Sequence, residues 1–184
     1  MIDHPTPSPD DAIASARRTL QVEAQAIQDL SSRLDDSFSR VVHMLLECRG
    51  RVVVSGLGKT GHIARKIAAT FASTGTPAFF VHAGEAVHGD LGMITADDVL
   101  IAISYSGAGQ ELLTILPVVR RMGAGLVAIT GNPTSELALQ ADVHLDASVA
   151  QEACPLNLAP TASTTTALAL GDALAVACLE ARGF

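Results

Sequence analysis

The chain has 184 residues and carries 12 Lys and Arg against 19 Asp and Glu, a net charge of −7. That balance argues against nucleic acid as the main partner. One domain with a real core is the default at this length. A 48% hydrophobic and 17% charged composition suits a sheet covered on both faces. No apolar run reaches the roughly 18 residues of a membrane span, and the start, Met1 to Pro9, lacks the apolar stretch of a signal peptide. Three cysteines, Cys48, Cys154 and Cys178, are odd in number and lack metal-ligand spacing. They read as small core residues in a reducing, cytoplasmic compartment.

Residues 1–10 are proline-rich and are expected to form a flexible N-terminus. One domain then covers 11–184, with N-terminal helices in 11–48 and the sheet from 51 onward. Asp10 or Asp11 can cap the first helix. Ile13, Leu20, Ile27 and Leu34 recur every seven residues, with Ala16, Ala24 and Leu30 between them. This stripe on one helix face has two readings, packing on its own domain or packing across a subunit interface. A second helix covers Phe38 to Cys48 and ends near Gly50.

From residue 51 the pattern alternates. A strand over 51–56 leads to a helix near 60–73, and a strand over 78–82 leads to the segment Gly84 to Asp90. A strand over 98–103 precedes a helix near 109–122. Strand 125–130 is followed by Asn132-Pro133-Thr134-Ser135, a short helix and a brief strand at Val143-His144-Leu145. A long Ala- and Leu-rich helix runs from about Thr161 to Glu180. Strands alternating with helices predict an α/β fold with a doubly wound parallel sheet. Such sheets bind ligands beyond the carboxyl ends of their strands, where the strand order switches.

Two loops fall at those ends. Gly56-Leu57-Gly58-Lys59-Thr60-Gly61 follows the first strand, and Ser104-Tyr105-Ser106-Gly107 follows the third. Each leads into a helix, so each offers free N–H groups and the positive end of a helix dipole to an anion. A phosphorylated ligand is the expectation. Because the chain is acidic overall, the site must be locally positive, and Lys59, Arg65 and Lys66 are the nearby cations. The first loop also fits Gly-x-Gly-x-x-Gly. A dinucleotide fold, however, needs an acid at the end of the next strand, and Glu85 lies beyond it. The Walker spacing fails as well.

Ser104 and Ser106 can aim two hydroxyls at one phosphate, and Glu111 lies one turn into the next helix, facing back toward the loop. Pro160-Thr161-Ala162-Ser163-Thr164-Thr165-Thr166 is a third hydroxyl cluster at a helix start. Glu152 just before it is a natural general base beside a sugar phosphate. His82, Glu85, His88 and Asp90 lie within nine positions. No third histidine has helical spacing, so no metal is required, although His82 and His88 leave a weak metal site open. His88 fits better as an acid or as a donor to a sugar oxygen. His43, His62 and His144 lack such company and read as structural or surface residues.

Several of these stretches, taken together, carry a family likeness. Gly56 to Lys66, Phe71-Ala72-Ser73-Thr74-Gly75, Gly84 to Met93, Ser104 to Glu111 and Glu152 to Thr166 closely resemble the sugar isomerase (SIS) domain of the D-arabinose-5-phosphate isomerases. The likeness runs from about residue 15 to Phe184. It implies a flavodoxin-like three-layer sandwich with five parallel strands, and a homotetramer with sites between subunits. It implies interconversion of D-ribulose 5-phosphate and D-arabinose 5-phosphate for Kdo and lipopolysaccharide synthesis, with no cofactor. By position, Lys59, Glu111 and Glu152 match the family's catalytic cleft, with His88 beside it. Ser104, Ser106, Thr161, Ser163 and Thr164 match its phosphate-binding loops, and Gly56, Gly58, Thr60 and Gly107 supply the surrounding backbone. The family usually continues past Ala181-Arg182-Gly183-Phe184 into a Ser-His-Pro-Gly-Gly stretch and two CBS modules, which this sequence does not contain.

The reaction so implied moves a proton between C1 and C2 through an enediol or enediolate. Glu152 is the expected base, and its pKa must be poised higher by burial for it to work well. Lys59 would stabilise the enediolate, and Glu111 and His88 would help in ring opening or proton shuttling. Two rivals are a non-catalytic sugar-phosphate sensor and an SIS isomerase for another sugar phosphate. The joint presence of Lys59, Glu111 and Glu152 favours the enzyme. The N-terminal stripe is then expected to help build the tetramer.

Overall fold

The computed structural model describes residues 8–183. Residues 1–7, most of the expected flexible N-terminus, lie outside the described residues. Helix α1 spans Pro9–Arg33. Its cap is Ser8 rather than Asp10 or Asp11: the Ser8 hydroxyl accepts the Asp11 N–H, and the Asp11 carboxylate accepts the Ser8 N–H. That reciprocal pair lets Pro9 take the first helical position, where no N–H is needed. Helix α2 spans Asp36–Glu47 and is capped by Asp35.

The sheet follows as β1 (Val52–Gly56), β2 (Ala78–His82), β3 (Val99–Ile103), β4 (Gly125–Thr130) and β5 (Val143–Asp146). All neighbours pair in parallel, in the order β2-β1-β3-β4-β5. The intervening helices are α3 (Gly58–Ser73), α4 (Ala83–Val87), α5 (Gln110–Met122), α6 (Glu136–Gln140) and α7 (Ala162–Arg182). Between α4 and β3, residues Asp90–Met93 form a 3₁₀ turn. The fold class, the number of strands and the alternation all match the sequence reading.

Period-two alternation sorts the core into two layers. Val52 and Val54 face α2, α3 and α7, packing with Leu45, Ile67, Phe71 and Leu174. Val53, Leu100 and Leu126 face the opposite side, with Leu112, Leu116 and Leu137. Strands β1 and β3 are buried at every position, as a parallel sheet covered on both faces requires. At the edge strand β2, Arg51 stacks over Phe79 and Arg65 over Phe80, at 4.4 and 4.6 Å. Helix α7 is long and apolar enough to cross a membrane by length and composition, but half of that window is buried. It packs between α1, α2 and α3, and reads as a core helix.

Helix α1 behaves differently. Only Ala26 and Leu30 are buried along it. The stripe residues Ile13, Leu20, Ile27 and Leu34 are 52%, 66%, 39% and 45% exposed. Among the described residues, packing on its own domain covers this stripe only in part.

Candidate active site

The strand order reverses between β1 and β3, and a crevice opens there at the carboxyl ends of the strands. A cavity of about 260 Å³ occupies it, lined by Lys59 and Thr60 from α3, Tyr105 after β3, Thr130 at the end of β4, and Ser163 and Thr164 on α7. A second cavity of about 430 Å³ adjoins it, lined by Ser106, Glu152 and the Ala150–Glu152 segment. Tyr105, Pro160 and Ser163 border both. The structure therefore brings Lys59, Thr60, Ser106, Glu152, Ser163 and Thr164 to one cleft. Ser104 and Gly107 lie in the loop beneath Ser106.

The starts of α3 and α7 and the loop that leads into α5 contribute to this cleft, and the three helix starts are not equivalent. No side chain caps α3 or α5. The amides at their starts remain available, as the anion reading requires. In the serine loop, the Gly107 N–H reaches the Ser104 carbonyl at 3.1 Å and hydroxyl at 3.2 Å, and the Ser106 hydroxyl accepts the Ala108 N–H at 3.3 Å. Gly107 has a φ of +64°, and a Cβ there would lie 2.0 Å from Ser135 Oγ. Only glycine fits this turn.

At α7 the N-terminus is occupied. One Glu152 oxygen accepts the Thr161 N–H at 2.7 Å, the Thr161 hydroxyl at 2.9 Å and the Ser163 N–H at 3.2 Å. Thr161 Oγ1 also accepts the Ala153 N–H at 2.8 Å, and the Thr164 hydroxyl donates to the Thr161 carbonyl at 2.8 Å. Within the third hydroxyl cluster, Thr161 and Thr164 are thus committed internally. The Ser163 hydroxyl is buried, 4% exposed, and completes no hydrogen bond. It lies near enough to Glu152 to help hold that carboxylate charged, and it fronts both cavities.

This arrangement reverses the expected pKa of Glu152. Burial pushes its carboxyl up, but the donors from Ser163 and Thr161 outweigh burial and hold it below the usual glutamate value. The expectation of a raised pKa fails because the same side chain closes a helix end.

The cations also sort themselves. Lys66 pairs with Asp172 at 2.6 Å, and Arg65 covers Phe80. Of the three cations expected near the phosphate, Lys59 is the one that lines the cleft. Glu111 is half-buried in the first turn of α5, and His88 is exposed after α4. Neither lines the two cavities. Among the described residues, no three His, Cys, Asp or Glu side chains come together to hold a metal ion. His82 sits instead edge-on to Phe80, with ring centroids 6.3 Å apart.

Tyr105 and Thr130 are among the lining residues that escaped the sequence reading. Tyr105 is the single tyrosine of the chain. Its ring packs so closely over Gly131 that a Cβ there would lie 2.4 Å away, and its hydroxyl accepts the Val149 N–H at 3.3 Å. Its position between Ser104 and Ser106 was the available signal. Thr130 ends an apolar strand and carried no such signal.

The fold and this cleft define a doubly wound α/β domain with a crevice at its strand-order switch. The SIS domain model matches residues 44–177, and the chain belongs to the SIS-domain family. It is 60% identical over 174 residues to the arabinose 5-phosphate isomerase KdsD of Pseudomonas aeruginosa, covering 95% of this chain and 53% of that protein. It is 56% identical over 170 residues to the arabinose 5-phosphate isomerase GutQ of Escherichia coli K12, covering 92% and 53%. The chain spans about half the length of the curated relatives it matches. An Escherichia coli CFT073 protein solved in complex with A5P superposes with a TM-score of 0.94 at 44% identity, covering 97% of this chain and 95% of that one.

Proposed function

We propose that this chain is a cytoplasmic aldose–ketose isomerase domain that interconverts D-arabinose 5-phosphate and D-ribulose 5-phosphate, in the service of Kdo and lipopolysaccharide synthesis. The observation that carries the reading is the cleft at the strand-order switch. Two uncapped helix starts, one lysine and an unpartnered buried serine surround it. The names of the relatives and the A5P bound by the CFT073 protein supply the substrate class.

The phosphate sits on the serine loop, held by the Ser104 and Ser106 hydroxyls and the uncapped amides at the start of α5, with the Gly56–Thr60 loop on the other side. Lys59 faces the sugar oxygens and stabilises charge on the enediolate. Glu152 is the base. Its carboxylate must be ionised to take a proton, and its donors keep it so. Those donors also weaken it, because a base with low proton affinity drives transfer poorly. Substrate oxygens that compete for the Thr161 and Ser163 donors would loosen this hold and raise its proton affinity where transfer occurs. Glu111 and His88 act in ring opening or proton shuttling from beside the cleft. The stripe on and just after α1 supports assembly into a homotetramer, since the described residues of one chain leave Ile13, Leu20, Ile27 and Leu34 exposed.

The test is turnover. The purified chain should convert arabinose 5-phosphate to ribulose 5-phosphate without added metal or cofactor. Tight binding with no conversion would favour the sensor reading, and conversion of a hexose phosphate alone would favour another isomerase of the family.

A further inference from the structure

A polar chain joins β5 to the floor of the serine loop. His144 Nε2 lies 2.9 Å from Thr130 Oγ1. Thr130 is 1% exposed, ends β4 and lines the cleft. Its hydroxyl donates to the Asn132 carbonyl at 2.9 Å and accepts the Asn132 N–H at 3.1 Å. The same carbonyl accepts the Ser135 hydroxyl at 2.7 Å and the Ser135 N–H at 3.1 Å. Ser135 stands directly under Gly107, close enough that any side chain on Gly107 would strike it, and the Leu137 N–H donates to the Gly107 carbonyl at 3.1 Å. Thr130 Cγ2 also abuts Gly107, 3.4 Å from where its Cβ would sit.

A hydroxyl has one proton to give and two lone pairs to fill. With its proton on Asn132, Thr130 must accept from His144; if the proton turns to His144, Nε2 accepts it. In both arrangements Nε2 is the atom that fixes the Thr130 rotor from the β5 side. Burial holds the pKa of His144 below the usual histidine value, despite Asp146 nearby. The ring therefore works as a neutral hydrogen-bonding group at pH 7.

We propose that His144 is a positioning residue for the phosphate-binding loop. Its imidazole locks Thr130, and through the Asn132–Ser135 turn it sets where the Gly107 backbone and its neighbouring hydroxyls meet the phosphate. The proposal rests on the phosphosugar reading of the cleft. The sequence treated His144 as structural or surface, because nothing near it in the chain marks its contact with Thr130.

The experiment uses the full chain and four variants. His144→Leu removes the hydrogen bond, and His144→Gln returns an amide group at the reach of Nε2. Thr130→Val and the double variant Thr130→Val/His144→Leu complete a cycle. The readouts are kcat and KM for arabinose 5-phosphate, and the inhibition constant or calorimetric Kd of inorganic phosphate. His144→Leu should raise KM and weaken phosphate about five- to tenfold, the worth of one hydrogen bond to a polar group, with a smaller change in kcat. His144→Gln should recover most of that loss, and the double variant should be no worse than Thr130→Val alone. If His144→Leu lowers the melting temperature yet binds phosphate and substrate as wild type does, the residue is structural and the proposal falls. If His144→Leu does not fold, the Gln variant and Thr130→Val decide: wild-type phosphate affinity in Thr130→Val overturns the chain. A wild-type protein that binds phosphate but turns over nothing would sink the isomerase reading alone, and the phosphate arm would still judge His144.

Discussion

The hydroxyl-bearing loop before α5 and the hydroxyl-rich start of α7 both border the cleft and do opposite things. Before α5, the Ser104 and Ser106 hydroxyls bond only to amides of their own short loop, and the helix N-terminus is left without a side-chain cap. Before α7, the hydroxyl cluster of Thr161 to Thr164 meets Glu152, which takes the Thr161 and Ser163 amides for itself. A hydroxyl-rich helix start is an anion site only if no anion of the chain already fills it. In the proposed isomerase, that difference gives phosphate holding to the α5 side and proton chemistry to the α7 side.

The largest effect is expected at α7. Glu152→Gln should preserve binding and remove proton exchange at C1 and C2 by about 10²–10⁴-fold, the worth of a general base. Mass spectrometry of substrate incubated in deuterated solvent measures it. If Glu111→Gln abolishes exchange and Glu152→Gln does not, the two carboxylates trade roles. The α5 side answers to a different change. Gly107→Ala should cost about 1–3 kcal/mol of stability through overpacking against Ser135, with roughly 1–2 kcal/mol more from the left-handed backbone, read by urea unfolding. Wild-type stability would mean that Ser135 moves aside freely.

Ser104→Ala with Ser106→Ala should weaken substrate by about 1–3 kcal/mol for each charged hydrogen bond lost, with little effect on folding. Thr161→Val should show the reverse, because its hydroxyl serves Glu152 and Ala153. Calorimetry and thermal melts on both variants decide whether binding and folding divide this way. The smallest effect is in pH. The folded state lowers the pKa of Glu152 from the reference 4.5. Its contribution to stability is therefore complete above that value and lost as pH falls through the lower folded one. Wild type should lose stability across that acid window by more than Glu152→Gln does. Parallel curves for the two proteins would mean that the carboxylate does not hold α7.

Much of this was legible in the chain. Period-two apolar runs broken by glycine and serine loops gave each strand within one or two residues, because a doubly covered parallel sheet leaves little choice of pattern. The cleft was legible for the same reason, since its loops sit where strands end. What the sequence concealed depends on long-range contact. The cap of α7 comes from Glu152, nine residues upstream of Thr161, so no local rule could find it and the expected pKa went the wrong way. Lys66 was one of three cations near the glycine loop, and Asp172, more than a hundred positions away, takes it. Ser8 rather than Asp10 or Asp11 caps α1 because Pro9 moves the start of the helix forward. The stripe on α1 was seen, but only the structure shows it uncovered in one chain.

Proton exchange at the sugar is the most direct measurement of the proposed chemistry. Arabinose 5-phosphate incubated with the purified chain in deuterium oxide should take up one solvent deuterium at C2, and ribulose 5-phosphate one at C1, at rates that Glu152→Gln abolishes. Substrate that binds the cleft yet returns without deuterium, under conditions where inorganic phosphate competes for the same site, would contradict an isomerase and leave a phosphosugar sensor.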